Sequence, residues 1–75
     1  MKLGKYKHYK GKFYEVLGVA LHTETREILV VYKPLYDAIV EELEGEPLFV
    51  RPKKMFEETL EFEGKQVKRF EFVEN

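Results

Sequence analysis

The two histidines, His8 and His22, are the only side chains in this sequence that ordinarily titrate near neutral pH, and both are potential metal ligands. Together with Glu24 they have the composition of a metal site formed by two histidines and one carboxylate. A predicted strand of nine residues, Phe13–Leu21, lies between the histidines and at ~3.3 Å per residue holds them roughly 30 Å apart. The sequence therefore predicts no metal site and no cofactor.

A nucleophile for covalent catalysis is equally hard to find. The chain contains no serine and no cysteine, and it has no glycine-rich phosphate loop. Thr23 and Thr25 lie beside His22, but hydroxyl groups that bond to the backbone of a turn explain them better than a nucleophile does. A domain of 75 residues also offers little room for a closed pocket of the ~300 Å³ that ligand sites typically have. We therefore predict that the protein is not an enzyme.

Basic and aromatic residues alternate near the N-terminus. Cationic side chains that follow a phosphate backbone, combined with rings that stack on bases, are typical of proteins that bind single-stranded nucleic acids. The net charge of −1 and the pI of about 6.1 argue against this function for the chain as a whole. Nucleic-acid binding is therefore the alternative function, and its candidate residues are Lys5, Tyr6, Lys7, His8, Tyr9 and Lys10.

Several features bear on where the protein works. No apolar run reaches the ~20 residues that a membrane-spanning helix needs. The basic N-terminal residues are not followed by the apolar segment of a signal peptide. Without cysteine the chain has no disulfide framework. We expect a cytoplasmic domain that has no membrane partner and is a monomer or a weak dimer.

Two apolar runs, Val16–Leu21 and Ile28–Tyr32, are separated by the six polar residues HTETRE. Runs of this length, rich in β-branched residues and joined by a polar turn, predict an antiparallel hairpin. If the turn is symmetric, Gly18 of the first strand faces Val31 of the second. A glycine inside a strand indicates either close approach by another backbone or a sharp bend.

An acidic segment, residues 37–46, follows the hairpin and predicts a short helix. Asp37 is suited to cap its N-terminus, and Gly45 is suited to the position just past its end. The apolar residues between them recur at the spacing of one helix face. At about seven residues this helix would need to dock on the sheet to be stable.

The rest of the chain predicts three further strands. The first is Leu48–Arg51, and a single helical turn begins after it at Pro52. The other two, Thr59–Phe62 and Val67–Val73, flank residues 63–64, Glu-Gly, which form a two-residue hairpin signal. These elements provide five short strands joined by tight turns.

Five strands and one short helical connection predict a mainly β fold, a small SH3-like barrel that closes its own edges. An open sheet of three or four strands backed by the helix is the alternative. The chain is predicted to be a single domain, 1–75, with a basic N-terminal arm, 1–12, and a barrel, 13–75. The predicted core residues are Leu17, Val19, Val30, Leu48, Leu60 and Phe70.

Three separated blocks of sequence also carry a family resemblance. They are HYKGKFYEVLGVALHTETREILVVYKPLY, LFVRPKKMF and EGKQVKRFEF, and in this order they resemble the small bacterial family known as domain of unknown function 1653 over residues 6–72. The resemblance implies a compact, mainly β, SH3-like domain of bacterial origin, and it carries over no catalytic residue. Phe49 stands where the family favours tryptophan, and Lys68 stands where it usually has proline.

The predicted binding surface lies at the HTETRE end of the barrel. If the third strand runs antiparallel to the second, it returns to this end and brings Arg51 with it. Arginine can bind a carboxylate or a phosphate through two parallel hydrogen bonds, but Arg51 could instead pair with Glu24 or Glu27 and tie the turn down. We therefore predict a non-catalytic binding or accessory domain for a protein, a peptide or a small anionic ligand. The predicted site residues are His22, Thr23, Glu24, Thr25 and Arg51.

Overall fold

The structure, a computed structural model, describes residues 1–75 and is mainly β. The elements are β1 Gly4–His8, β2 Phe13–Leu21, β3 Ile28–Pro34, β4 Phe49–Pro52, α1 Lys53–Phe56, β5 Thr59–Phe62, β6 Lys65–Lys68 and β7 Phe70–Glu74. Five strands form an antiparallel sheet with the order β4-β3-β2-β1-β7, and two more form a separate hairpin, β5-β6. No helix has the length and apolar character needed to cross a membrane.

The central hairpin pairs β2 with β3 in the predicted register, because Gly18 lies opposite Val31. The register shifts between Val16 and Gly18, so Leu17 is the extra residue of a β-bulge. A side chain added at Gly18 would meet no atom within 4 Å. Of the two predicted roles for this glycine, the structure therefore supports the bend and not a close approach by another backbone.

The second predicted hairpin is also confirmed. Phe62 pairs with Lys65, which leaves a two-residue turn. Both turn residues have positive φ angles, 52° at Glu63 and 78° at Gly64. This backbone is the type I′ turn that matches the right-handed twist of paired strands, and glycine adopts it without steric strain.

The core lies on one side of the five-stranded sheet and is largely aromatic. The rings of Phe56 and Phe70 stack with centroids 4.0 Å apart and planes within 3° of each other. Phe56 is the one buried residue of α1, so this short helix closes the core. The six buried residues are Tyr6, Val16, Val30, Tyr32, Phe56 and Phe70.

Only Val30 and Phe70 of the six predicted core residues are buried. Leu17, Val19 and Leu48 are 41–51% exposed, and Leu60 is half-buried in the separate hairpin. In β2 the buried side chain is Val16, while Leu17 is the bulged residue. Val19 lies opposite the buried Val30 and is nevertheless 47% exposed. Leu48 is exposed because β4 begins only at the next residue.

The predicted N-terminal arm is wrong, because Gly4–His8 form β1 between β2 and β7. Tyr6 points into the core, and its hydroxyl donates a hydrogen bond of 2.6 Å to the carbonyl of Lys2. Lys5 and Lys7 lie on the opposite face, with their ammonium groups 4.6 and 5.9 Å from the ring centroid of Phe13. The alternation of basic and aromatic residues in this segment is therefore also the alternation of a half-buried strand.

The sheets do not close into a barrel, because the outer strands β4 and β7 do not pair with each other. The predicted strand Val67–Val73 is divided at Arg69 into β6 and β7. The N–H of Arg69 bonds to the carbonyl of Glu58, while its own carbonyl accepts from the N–H of Tyr9. The strand before Arg69, β6, pairs with β5, and the strand after it, β7, pairs with β1.

The predicted helix at residues 37–45 is not formed. This segment links β3 to β4 as irregular backbone, and Ile39 is 91% exposed, so the expected apolar face is not buried. A helix this short is unstable without tertiary packing. Glu44 at its C-terminal end would also oppose the helix dipole. The helical turn predicted after Pro52 is present as α1.

The buried position of Val30 leads to a first prediction. Val30→Ala should lower the free energy of unfolding by about 1–3 kcal/mol, because Val30 is fully buried and the substitution leaves a cavity. The matched control is Val50→Ala on the neighbouring strand, where the side chain is 59% exposed and the change should stay within ~0.5 kcal/mol. Urea denaturation of both variants tests this, and equal losses would contradict the assigned core.

Two glycines provide a second matched pair. Gly4 has a φ of 124°, and an added Cβ would lie 2.6 Å from the carbonyl oxygen of Glu74. Gly4→Ala should therefore destabilise the fold by more than ~1 kcal/mol. Gly18→Ala should leave stability unchanged or raise it by up to ~1 kcal/mol, since it only restricts the unfolded chain. The melting temperatures of the two variants test this. An unchanged melting temperature in Gly4→Ala would refute the close contact between Gly4 and the end of β7.

Candidate functional site

The hairpin turn holds its shape with its own polar groups. The ring Nδ1 of His22 accepts hydrogen bonds from the N–H groups of Glu24 and Thr25, at 3.2 and 3.3 Å. The hydroxyl of Thr25 accepts from the N–H of Glu27 at 3.2 Å, as its predicted role in the turn requires. All residues of the turn are exposed. His22 and Thr25 therefore stabilise the turn, and these acceptor atoms are already engaged.

β4 returns to the turn end of the sheet as predicted, since Pro52 lies opposite Leu29. Arg51, however, points to the inner face of the sheet. Its Nε donates to the hydroxyl of Tyr32 and its Nη1 to the Sδ of Met55, both at 3.3 Å. Arg51 forms no ion pair, so the predicted tie to Glu24 or Glu27 is wrong. The predicted grouping of Arg51 with residues 22–25 is supported by no hydrogen bond or ion pair.

The residues proposed for nucleic-acid binding are divided between the two faces of the sheet. Tyr6 is 7% exposed in the core, so its ring is not available for stacking on a base. Lys5 and Lys7 lie on the outer face, whereas His8 and Tyr9 are half-buried and in contact, with ring centroids 4.6 Å apart. Only the second half of the segment therefore combines accessible rings with a lysine, Lys10.

Aromatic side chains surround Arg51 on the inner face of the sheet. The guanidinium carbon of Arg51 lies 5.6 Å from the ring centroid of Phe70. The ring of Tyr14 packs edge to face against those of Tyr32 and Phe70 at 5.5 and 5.6 Å. We call this group the Arg51 cluster, and its members are His8, Tyr14, Tyr32, Tyr36, Arg51 and Phe70.

Strand pairing assembles this cluster from distant parts of the sequence. His8 of β1 lies opposite Phe70 of β7, and their rings are 4.9 Å apart. Arg51 of β4 is opposite Val30 of β3, and β3 lies between Arg51 and Tyr14 of β2. No local motif unites residues this far apart along the chain, so sequence reasoning missed the cluster. Knowledge that β1 pairs with β7 would have been needed to find it.

The environment of His8 favours its neutral form. Burial is the main cause that lowers its pKa, and the positive charges of Arg51, Arg69 and Lys10 lower that pKa further. Its Nδ1 accepts a hydrogen bond from the N–H of Lys10 at 3.2 Å, so a neutral ring carries its hydrogen on Nε2. The charges that act on His8 are thus all positive, and its ring is a donor near neutral pH.

The tyrosines of the cluster supply neutral hydroxyl groups. The hydroxyls of Tyr14 and Tyr36 are 2.9 Å apart and share a hydrogen bond. Burial raises the pKa of Tyr14, and the hydrogen bond with Tyr36 raises it further. Tyr14 therefore remains protonated at physiological pH and does not act as a nucleophile. Arg51 supplies a permanent positive charge beside these hydroxyls.

A cavity of about 380 Å³ opens beside His8, between the end of β1 and the second hairpin. Lys7 and Lys68 contribute positive charge to its wall, and neither forms an ion pair. Glu71 is its single acidic residue. We call it the His8 cavity, and its lining residues are Lys7, His8, Tyr9, Gln66, Val67, Lys68 and Glu71.

No group of three or more histidine, cysteine, aspartate or glutamate side chains could hold a metal ion. Arg69, the other arginine near His8, is held by the carboxylate of Glu58 at 3.3 Å and the carbonyl of Met55 at 3.2 Å. The arrangement offers hydrogen-bond donors, cations and rings, which suit binding.

These features define a small, mainly β domain with a basic and aromatic surface. The chain belongs to the DUF1653 family, described as a protein of unknown function, whose profile matches residues 4–72. It is also similar to the crystal structure of a protein belonging to DUF1653 from Bordetella bronchiseptica. The two are 36% identical with a TM-score of 0.84, and the match covers 97% of this chain and 87% of that chain. A comparison with curated proteins finds no match.

The family resemblance seen in the sequence is thus confirmed over nearly the whole chain. The family description assigns no activity, ligand or partner. The function therefore has to be argued from the site itself.

The lowered pKa of His8 makes stability depend on pH. A histidine whose pKa is lower in the folded state than its unfolded value of 6.5 contributes fully above pH ~6.5. That contribution is lost as the pH falls through the folded-state pKa, because protonation favours the unfolded chain. We therefore expect the melting temperature to fall between pH 7.5 and 5, and His8→Asn should remove part of this fall while keeping an acceptor for the N–H of Lys10.

The control for this measurement is His22→Asn, which removes the other histidine and should retain the contribution of His8 to the pH dependence. NMR titration of the His8 ring measures the pKa directly. A His8 pKa at or above 6.5 would show that the described environment is incorrect.

Proposed function

We propose that this domain is a non-catalytic binding module whose ligand presents an anionic group to the His8 cavity. The observation that carries the proposal is the arrangement of charge around His8. Three cations, Arg51, Arg69 and Lys10, act on this histidine, and two further lysines line the adjacent cavity. An anion placed in the cavity would contact the two lysines of its wall, and the cations near His8 would add to the positive potential there.

The balance of charge at the site favours an anion even when the neighbouring acids are counted. Arg69 is compensated by Glu58 at 3.3 Å, but Arg51 has no carboxylate partner. Glu71 pairs with Lys7 in the strand register, yet the two side chains form no ion pair. The free cations therefore outnumber the free acid at this end of the sheet, and bound anion would replace the missing partners.

Aromatic rings beside the cavity favour a ligand that also has a flat, unsaturated part. The ring of Tyr9 lies 4.6 Å from that of His8 and 5.1 Å from that of Phe62. The ammonium group of Lys10 is 5.9 Å from the centroid of the Tyr9 ring. This combination of rings and a lysine supports single-stranded nucleic acid as a second candidate ligand, because bases stack on rings while lysines neutralise phosphates.

The proposed binding surface lies where β1 ends, at His8, and not at the hairpin turn between β2 and β3. Arg51 is retained as a source of positive charge, but its neighbours are His8 and the tyrosines and not residues 22–25. A protein or peptide ligand remains part of the proposal when it presents a carboxylate or a phosphate to this cavity. We further propose that the domain works in the bacterial cytoplasm, without a membrane partner, as a monomer or a weak dimer.

The proposal also treats the fold as an open relative of the SH3-like barrels. Its support is the antiparallel order of five strands around an aromatic core that α1 closes at one side. Such small β folds bind ligands on the ends and faces of their sheets, which agrees with the location of the His8 cavity.

Titration with inorganic phosphate at low salt tests the proposed function. Backbone amide signals of residues 8–9 and 66–68 should shift in a saturable manner. Lys7→Gln and Lys68→Gln should each weaken the affinity roughly two- to fivefold, in keeping with ~0.4–1 kcal/mol for an exposed charge pair. Added salt should weaken binding further, because the lysines are exposed and screened.

The matched control is Lys54→Gln, which removes the same charge at a distance from the His8 cavity and should leave these shifts unchanged. Unmoved amides at 8–9 and 66–68, or a phosphate affinity that neither Lys7→Gln nor Lys68→Gln changes, would refute the proposed site. A parallel titration with oligothymidylate separates the two ligands. A steeper dependence on salt than that of phosphate would favour nucleic acid, since several phosphates would then be neutralised.

A further inference from the structure

A second cavity, of about 410 Å³, lies between the hairpin turn and α1 and shares no residue with the His8 cavity. Its walls come from two separate parts of the chain, the last residues of the turn and the residues that follow β4. We call it the turn groove. Its charged lining is Arg26, Glu27, Lys53, Lys54 and Glu57, and Ile28 and Pro52 complete it.

The backbone at Arg26 is unusual for a residue with a side chain. Its φ angle is 67°, in the left-handed region that glycine and asparagine adopt more readily. The turn uses only the N–H of Arg26, which donates to the carbonyl of His22 at 2.7 Å. Glycine would supply the same hydrogen bond with less strain, so nothing in the turn itself requires this guanidinium. Its place in the wall of the turn groove is the feature that needs an explanation.

The charges in the groove are not balanced by ion pairs. Lys53 is paired with Glu57, and the Nζ and Oε1 atoms are 3.0 Å apart. Arg26 and Lys54 have no acidic partner, and Glu27 has no basic one. After the Lys53–Glu57 pair is discounted, two cations face one carboxylate in the same groove. The wall therefore retains a net positive charge with one negative group beside it.

We propose that the turn groove is a second binding site, and that it takes a phosphoryl group carried by a ligand or partner. Arg26 suits the planar, two-point contact with phosphate oxygens, and Lys54 adds a second positive charge. The four-residue α1 contributes the side chains of Lys53 and Lys54 to the groove. Glu27 opposes the anion and limits the affinity of the site. The groove is independent of the His8 cavity, so either site can be occupied without the other.

Inorganic phosphate is the probe for this site, observed by amide shifts of residues 26–27 and 53–54. Arg26→Gly should weaken phosphate affinity by about fivefold or more, and it should raise the melting temperature because glycine accepts the left-handed backbone. Lys54→Gln should weaken affinity roughly two- to fivefold. Glu27→Gln should strengthen it by a similar factor, since it removes the opposing charge. Lys65→Gln, which lies outside both cavities, is the control and should change nothing here.

The outcomes separate this site from the one proposed above. Phosphate-dependent shifts at residues 8–9 and 66–68 alone, with 26–27 and 53–54 unmoved, would overturn the turn groove while supporting the His8 cavity. Shifts at 26–27 and 53–54 that survive in both Arg26→Gly and Lys54→Gln would also overturn the proposal. The melting temperature of each variant verifies that a lost response reflects the lost charge and not unfolding.

Discussion

The packing of Phe70 is the interaction on which the rest of this domain depends. Its ring centroid lies 4.0–5.6 Å from four other aromatic rings and from the guanidinium carbon of Arg51. The four rings are those of Phe56, His8, Tyr14 and Tyr32. A chain of 75 residues buries only ~60% of the surface of its unfolded state, so large rings must provide much of the core. Because Phe70 belongs to β7, the core is completed only when the last strand joins β1.

The same packing links the stability of the fold to the geometry of the candidate site. His8 and Arg51 are held in position by the rings that form the core, and their polar atoms are used within the fold or lie at its surface. The aromatic interior therefore fixes the positive charges that the proposed anion site uses. Substitutions at Phe70 would consequently affect binding through stability, whereas the lysines at the cavity rim are separable from the fold.

Local signals in the sequence were enough to predict two hairpins. The register that sets Gly18 opposite Val31 and the tight turn at Glu63 follow from the spacing of apolar runs and from turn residues. The bulge at Leu17 has no such signal, and in β2 Val16 is buried whereas Leu17 and Val19 are not. The acidic segment had the spacing of a helix, but its Ile39 is 91% exposed and its apolar residues do not dock on the sheet as one face. Tertiary packing decides whether a helix this short forms.

Predictions about the site were limited by side-chain direction and by long-range pairing. The path of β4 toward the turn was correct, yet the direction of Arg51 depends on the strand's two-residue period, which a shift of one position reverses. The lysines of residues 5–10 favoured the prediction of an exposed basic arm. The alternation of Tyr6 and His8, which point inward, instead indicates a strand. The meeting of His8 with Phe70 requires pairing of β1 with β7, and no segment of the sequence specifies that pairing on its own.

The close contact of Gly4 with the backbone of Glu74 and Asn75 has a topological consequence. The two ends of this chain meet along adjacent, antiparallel strands, so the pairing with the greatest separation in sequence is also the one that closes the core. A circular permutant that joined these ends through a short linker would convert this pairing into a local hairpin and lower the contact order of the fold. New termini could open within residues 37–46, where irregular, exposed backbone carries few contacts.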